Sequence, residues 1–227
     1  AAPFPVVLDS GAHVGADTLA IAARWPGGRV YALEPNAEVF RLLRRRVANS
    51  TNVRAFRAAL AGEATPQARL YTPLPSRLIP AEHAASSTLL QPSKTAHVET
   101  VPMYESPTQR VRAHTLDSFA GSMGLDRIDF LHLDMQGAEH AVLSAASQRL
   151  LAGVAVAQVE VVEAASRIWG GAPDGHALLA LLRARGFVPL CTSPRMRDEV
   201  YYDALFVNED FAPDALLVTE RGPMRDT

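Results

Sequence analysis

Apolar runs and helical periodicities alternate along most of the chain. Five apolar runs have the length of buried strands: residues 6–8, 29–33, 52–56, 128–133 and 154–159. Segments between them repeat apolar residues every three or four positions, as Leu178, Leu181 and Leu182 do, and this spacing predicts helices that pack on a sheet. Strands that alternate with helices predict an α/β fold with a doubly wound, mostly parallel sheet.

Helix boundaries and a closing hairpin can also be placed from the pattern. Asn36 and Asp174 have side chains suited to N-caps, and Gly186 is suited to a helix stop. Residues 187–190 and 200–207 follow as two strands with no helix between them. This arrangement predicts an antiparallel hairpin at the C-terminal end of the sheet.

One further helix is predicted after the fourth strand. It starts at Gln136-Gly137-Ala138-Glu139, and its apolar face is expected to extend through Val142 and Ala145 as far as Leu150.

The periodicity weakens between residues 61 and 110, where prolines are frequent. A long irregular segment inside a domain is usually functional or mobile, so we expect a lid over the substrate, ordered by ligand binding, between about Thr72 and Pro107. The alternative for residues 75–97 is a disordered insertion. Short alternating pieces near residues 69–71, 98–102 and 110–114 predict a small antiparallel ribbon.

Composition narrows the class of protein. The chain has 227 residues, of which 48% are apolar, and we expect one domain over residues 1–210 and a polar tail over residues 211–227. A net charge of −2 and a pI near 6.4 give no field that would recruit nucleic acid or an anionic membrane, so neither is expected as a partner. No targeting segment and no run of roughly 20 apolar residues is recognised, so a cytoplasmic location is expected. The lone cysteine, Cys191, is expected to be a buried strand residue.

The turn after the first strand carries the first functional signal. The strand ends in Asp9, and Gly11 and Gly15 follow before a helix. Glycine lets a ligand approach the backbone, but the middle glycine of the dinucleotide fingerprint is missing, which argues against a bound pyrophosphate. A carboxylate here suits a ligand that carries a cation or free amines, and S-adenosylmethionine has both. The alternative is an ordinary glycine-containing corner.

A second acid strengthens the ligand hypothesis. Glu34 ends the second strand 19 residues after Gly15, about where a carboxylate that binds a ribose diol is expected. Small residues at Ala58-Ala59-Leu60 could pack against an adenine ring, although packing at a sheet edge would look the same. Acids are expected at four strand ends: Asp9, Glu34, Asp134 and Glu160.

Together these residues resemble the FkbM-type family of S-adenosylmethionine-dependent class I methyltransferases. The matching stretches are residues 7–15, Glu34-Pro35-Asn36, Ala59-Leu60, Thr115-Leu116-Asp117, residues 129–139 and Val142-Leu143. The most specific of them is Asp134-Met135-Gln136-Gly137-Ala138-Glu139. The chain departs from the family at His132, often a lysine there, and at Gln136, often a glutamate.

The resemblance implies a seven-stranded sheet and O-methylation of a hydroxyl on a small molecule, sugar or natural product. The cofactor-binding candidates are Asp9, Gly11, His13, Gly15, Glu34, Asn36, Ala59 and Asp134.

Three residues are candidates for the chemistry itself. Asp134 could bind the methionine end of the cofactor, hold a metal or accept a proton through His132. His132 is either a general base or a satisfied core residue, and Glu139 is either a helix cap or an acid on the acceptor side. Asp134 and Glu160 could together hold a divalent ion, although two oxygen ligands are not specific.

Two other functions compete with methyl transfer. A nicotinamide-dependent oxidoreductase would use a similar sheet, but it predicts a glycine fingerprint that the first turn lacks. A non-catalytic cofactor-binding protein could keep the fold, and four strand-end acids argue mildly against it.

Overall fold

The structure is a computed structural model that describes residues 4–72, 87–93, 109–163, 168–193 and 201–211. The first part contains β1 (Val6–Ser10), α1 (Ala16–Arg24), β2 (Arg29–Leu33), α2 (Ala37–Arg46), β3 (Val53–Phe56), β4 (Ala59–Leu60) and β5 (Thr65–Leu70). The middle part contains β6 (Gln109–His114), α3 (Leu116–Met123), β7 (Ile128–Leu133), α4 (Glu139–Ala145), α5 (Gln148–Ala152) and β8 (Val154–Val162). The last part contains α6 (Gly175–Ala184), β9 (Phe187–Thr192), β10 (Tyr201–Asn208) and a short 3-10 turn (Glu209–Phe211).

Seven strands form the main sheet in the order β3-β2-β1-β7-β8-β10-β9. All neighbours are parallel except β10, which runs antiparallel to both β8 and β9. The predicted doubly wound sheet with a C-terminal hairpin is confirmed. The chain reverses its direction of travel across the sheet between β1 and β7, and ligands of such folds bind at the strand C-termini beside that point.

A second sheet of three strands, in the order β4-β6-β5, lies beside the main one. Strand β5 pairs antiparallel with β6, so the predicted ribbon is confirmed for the pieces near residues 69–71 and 110–114. The piece at residues 98–102 lies outside the described residues. The buried side chains Leu70, Val111 and Ala113 form a small core of this sheet together with Ala59, separate from the main core.

The helix caps follow the sequence. Asn36 caps α2, since its side chain accepts hydrogen bonds from the backbone N–H groups of Glu38 and Val39. Asp174 occupies the N-cap position of α6, and Gly186 follows that helix in the left-handed region with φ +87°. Leu178 and Leu182 are buried in the main core as predicted.

The helix predicted as far as Leu150 is in fact two helices, α4 and α5. Ser147 interrupts it, because its hydroxyl caps α5 by accepting the N–H of Leu150, while its own N–H donates to Asp117. The break exposes Ala145 and buries Ala146. Single-sequence periodicity cannot detect such a break, since a cap with a distant partner depends on tertiary contacts.

Two other expectations are corrected. Cys191 is exposed, because it lies in β9 at the edge of the sheet. Glu160 lies inside β8, two residues before the strand ends, and not beyond its end.

In the described parts of the chain, no helix is long and apolar enough to cross a membrane. Most of the expected lid and of the polar tail lies outside the described residues, and both stay predictions.

Candidate functional site

The turn between β1 and α1 lies at the C-terminal edge of the sheet, between β2 and β7. Gly11 has φ +92°, and a Cβ built on it would lie 1.7 Å from the carbonyl oxygen of Asp134. A residue with a side chain would therefore have to push the β7 end away. The N–H groups of Gly11 and Ala12 both donate to the carbonyl of Leu33, each at 3.0 Å, so the turn is fixed against β2.

A cavity of about 490 Å³, including space open to solvent, begins at this turn. Its lining residues are Ser10, Gly11, His13, Glu34, Pro35, Val39, Ala59, Leu60, Leu70, Ser87, Leu89, Asp134, Met135 and Ala138. Five of the eight predicted cofactor-binding residues are among them: Gly11, His13, Glu34, Ala59 and Asp134. The cavity has an acidic group at each end and an apolar wall between them, the arrangement expected for a nucleoside-like ligand.

Glu34 is the buried acid at one end of the cavity, with 5% of its surface exposed. Its two carboxylate oxygens accept hydrogen bonds from the backbone N–H groups of His13 at 3.0 Å and of Asn36 at 2.7 Å. Burial raises the pKa of Glu34 to about 7, against the lowering effect of these two hydrogen bonds. The two N–H groups fix the carboxylate in the cavity wall.

Asp134 is the acid at the other end, and it is linked to Glu160 through the side chain of Gln136. The Nε2 atom of Gln136 donates to Oδ1 of Asp134 at 3.0 Å and lies 3.1 Å and 3.0 Å from the two oxygens of Glu160. Gln136 holds this position with φ +56°, an uncommon value for a residue with a side chain.

Burial raises the pKa of both acids in this group. For Glu160 the pKa lies well above its usual value because burial is reinforced by the charges of Asp134, Glu139 and Asp203. For Asp134 burial raises the pKa, while the hydrogen bond from Gln136 and the charge of His132 oppose it. Burial and the neighbouring charges thus favour the protonated form of both acids, and titratable groups perturbed in this way are frequent at functional sites.

The structure places Asp9 and His132 away from the cavity. Asp9 is fully buried and accepts hydrogen bonds from Thr18 at 2.5 Å, while its other oxygen lies 2.9 Å from Nδ1 of His132. Burial lowers the pKa of His132, but the hydrogen bond and charge of Asp9, with the charge of Asp134, leave it raised overall. His132 does not line the cavity, and its Nδ1 atom faces Asp9 on β1, which fits the alternative of a satisfied core residue, while its role as a general base stays a prediction.

Three other predicted residues, Glu139, Gly15 and Asn36, do not line the cavity beside Gly11. Glu139 is 2% exposed, and one of its oxygens accepts the backbone N–H of Met135 at 2.5 Å. With Glu160 it lines a second and smaller cavity, so its role as an acid on the acceptor side stays a prediction. Gly15 supports packing, since a Cβ there would lie 2.7 Å from Leu43. Asn36 is behind the cavity wall as the cap of α2.

Residues 87–93 fall within the segment expected to cover the substrate, and they supply Ser87 and Leu89 to the cavity, two residues that the sequence analysis did not single out. The only available signal was the polar cluster Ser86-Ser87-Thr88 within an otherwise irregular stretch. Within the described ranges, no group of three or more His, Cys, Asp or Glu side chains is arranged to hold a metal ion. The proposed pair of Asp134 and Glu160 therefore lacks a third ligand there, and Gln136 lies between the two acids.

The sequence is similar to known methyltransferase domains. The family model of the methyltransferase FkbM domain matches residues 9–189, which is more than half of the chain. The AMB antimetabolite synthetase AmbE of Pseudomonas aeruginosa is 31% identical over 206 residues. That alignment covers 82% of this chain and 10% of the relative, so the chain spans about a tenth of that protein's length.

Solved structures share the fold at low identity. The methyltransferase FkbM from Methylobacillus flagellatus KT has a TM-score of 0.54 and 12% identity, with coverage of 90% of this chain and 44% of that chain. The fibrillarin pre-rRNA processing protein of Methanococcus jannaschii has a TM-score of 0.53 and 11% identity, with coverage of 91% and 67%. At these identities the likeness concerns the fold alone.

Proposed function

The chain belongs to the FkbM methyltransferase domain family, which makes it an S-adenosylmethionine-dependent methyltransferase, and we propose that it methylates a hydroxyl group of a small biosynthetic molecule. The observation that carries the proposal is the cavity beside the Gly11 turn, with Glu34 at one end and Asp134 at the other.

The residues of this cavity fit S-adenosylmethionine. The carboxylate of Glu34 can accept both hydroxyls of a ribose, because its two oxygens have lone pairs beyond those used by His13 and Asn36. Ala59 and Leu60 give an apolar wall for an adenine ring. Asp134, on the far side of the Gly11 turn, supplies negative charge near the cationic and amino groups of the methionine end.

When bound, the cofactor would supply an electrophilic methyl group on a sulfonium, and methylation of an acceptor oxygen would leave a neutral thioether as the other product. The chain must orient the acceptor hydroxyl and accept its proton. We assign this task to the group formed by Asp134, Gln136 and Glu160, because it joins two partly buried carboxyls through one amide and Asp134 lines the cavity. Gln136 keeps the two acids apart and oriented while the proton is held.

We propose the class of acceptor from the relative AmbE and from the acidic residue Asp134 in the cavity. The synthetase that shares 31% identity with this chain makes an antimetabolite, so the matching region there belongs to a protein of small-molecule biosynthesis. A hydroxyl must lose its proton as it is methylated, and Asp134 lines the cavity as a carboxyl that can accept it. We therefore propose O-methylation of a small natural product.

The proposal is tested by calorimetry with S-adenosylmethionine, its demethylated product and NADH. Saturable binding of the first two and none of NADH is expected. Incubation with methyl-labelled cofactor and a panel of hydroxylated and aminated small molecules then identifies the acceptor atom. Transfer to amines alone would contradict O-methylation, and absence of binding by both sulfur compounds would contradict the cavity assignment.

A further inference from the structure

Residues 87–93 cross the protein between the cofactor cavity and Trp169, and we call this segment the strap. It is held along its length by backbone hydrogen bonds that do not belong to either sheet. Thr88 exchanges two bonds of 2.9 Å with Tyr71, and Gly170 donates to Gln91 at 2.8 Å. The strap therefore touches three separate parts of the fold.

The first end of the strap lies at the cavity. Ser87 and Leu89 line it, and the Oγ atom of Ser87 accepts a hydrogen bond of 3.1 Å from the side chain of Asn36. Asn36 in turn follows Glu34, whose carboxylate accepts its backbone N–H. A ligand in the cavity would thus contact the strap directly at Ser87 and Leu89, and it would also contact Glu34, whose carboxylate accepts the backbone N–H of Asn36.

The centre of the strap is tied to the acidic group on the acceptor side. Thr88 is 1% exposed, and its Oγ1 atom donates to the carbonyl oxygen of Gln136 at 3.0 Å while accepting the N–H of Leu90 at 3.1 Å. Gln136 is the residue whose side chain holds both Asp134 and Glu160. Because its φ of +56° is unfavourable for a side-chain-bearing residue, Gln136 needs a contact that holds its backbone, and the Thr88 hydroxyl provides one.

The far end of the strap reaches the indole of Trp169. Pro92 pairs with Trp169 in an isolated bridge, and Leu90 packs against the same buried cluster. Gly137 adjoins both side chains, since a Cβ on it would lie 2.4 Å from Trp169 and 3.2 Å from Leu90. A movement of the strap or of the Gln136-Gly137 turn must therefore change the surroundings of Trp169.

We propose that the strap couples occupation of the cofactor cavity to the position of the Asp134–Gln136–Glu160 group, and that Thr88 is the positioning residue that transmits the coupling. The inference rests on the proposed function, because it takes the cavity as the cofactor site. Its physical basis is that one short segment contacts the ligand on one side and fixes the backbone of Gln136 on the other.

The indole of Trp169 gives a direct readout that needs no acceptor. In a Trp25→Phe background, Trp169 is the remaining tryptophan of the chain. Saturation with the demethylated cofactor product is expected to change its fluorescence. Thr88→Val, which keeps the shape and removes the hydroxyl, is expected to abolish that change at saturating ligand. Thr88→Ser, which keeps the hydroxyl, is expected to retain it.

Calorimetry on the same proteins separates this inference from the proposed function. Binding without any change in Trp169 fluorescence would overturn the coupling and leave the function standing, whereas loss of binding in the unmutated protein would overturn the function first. A full response in Thr88→Val, or equal loss in Thr88→Ser, would also overturn the role of the hydroxyl. If Thr88→Val does not fold, Thr88→Ala replaces it with the same expectation.

Once an acceptor is known, a kinetic measurement gives the second readout. Thr88→Val is expected to lower kcat while the KM for the cofactor stays within about threefold, because the lining of the cavity by Ser87 and Leu89 is unchanged. A rise in cofactor KM with kcat unchanged would overturn the positioning role.

Discussion

Glu34 is the residue whose removal should weaken cofactor binding most directly. Replacing Glu34 by alanine removes a charge-assisted pair of hydrogen bonds to a ribose, which is worth roughly 1.5–3 kcal/mol, or about 10- to 150-fold in affinity. It also leaves the N–H groups of His13 and Asn36 without their carboxylate. Calorimetry with S-adenosylmethionine measures the effect.

Glu38→Ala is the matched control, since Glu38 lies four residues later on the exposed side of α2 and does not line the cavity. Its affinity should equal that of the unmutated protein. Unchanged affinity in a folded Glu34→Ala protein would remove Glu34 from the site.

Asp134→Asn should lower turnover by at least about tenfold, the low end of the effect of losing one acid-base or electrostatic group. The substitution keeps the shape and the contact with Gln136 while it removes the charge. Initial rates with the identified acceptor measure the effect, and full turnover would make Asp134 a structural residue. Asp129→Asn is a suitable control, because Asp129 lies at the opposite end of β7 and accepts the N–H of Val6.

The residues that the sequence predicted well are those whose position follows from the backbone alone. Gly11, Glu34 and Asp134 lie at strand ends that parallel pairing brings together, so spacing was enough to find them. His132 could not be assigned in the same way, because strand alternation gives the face of a side chain but not its partner. Its hydrogen bond to Asp9 and the contact of Thr88 with Gln136 join residues distant in sequence.

The turn between β1 and α1 tolerates no side chain at Gly11. We expect Gly11→Ala to destabilise the protein by more than about 2 kcal/mol, since a Cβ at φ +92° is strained and would meet the Asp134 carbonyl. Gly121→Ala in α3 is the control, because nothing lies within 4 Å of its Cβ position and alanine favours a helix by about 1 kcal/mol. Urea unfolding compares them, and equal stability of the two variants would contradict the packing at Gly11.

Strands and helices were predictable to the extent that their signals are local. The bounds of β2 (Arg29–Leu33) and β7 (Ile128–Leu133) coincide with the apolar runs, because both strands are buried in the sheet interior. The division of α4 from α5 was missed because Ser147 depends on Asp117, 30 residues earlier. Helix periodicity contains no information about such a partner.

The order of the strands across the whole sheet follows from few rules. The alternation of strands and helices, and two final strands without a helix between them, predicted the doubly wound sheet and its hairpin correctly. The strap lies within the segment expected to cover the substrate, but its contacts with Tyr71, Gln136 and Trp169 were not predictable, since residues 87–93 have no periodic pattern.

The protein as a whole should lose stability as the pH rises from about 5 to about 8. The folded protein raises the pKa of Glu34 to about 7 and of Glu139 to about 8 by burial, and it also raises those of Asp134 and Glu160. An acid whose pKa is higher in the folded than in the unfolded protein makes its full contribution to stability at pH values below the unfolded pKa. That contribution is lost as the pH rises through the folded pKa. The raised pKa of His132 acts in the same direction.

Glu139→Gln tests the buried acid whose pKa is raised to about 8. The amide cannot ionise, and its oxygen can still accept the N–H of Met135, so the variant should show a flatter dependence of the unfolding free energy on pH. Each unit of pKa shift corresponds to about 1.4 kcal/mol, so at about pH 8 the variant should be at least as stable as the parent. Glu38→Gln, an exposed acid, should keep the parental slope. Urea unfolding of the parent and of both variants between about pH 5 and pH 8.5 measures these slopes. An unfolding free energy of the parent that rises over this range would show that the buried acids are ionised at little cost.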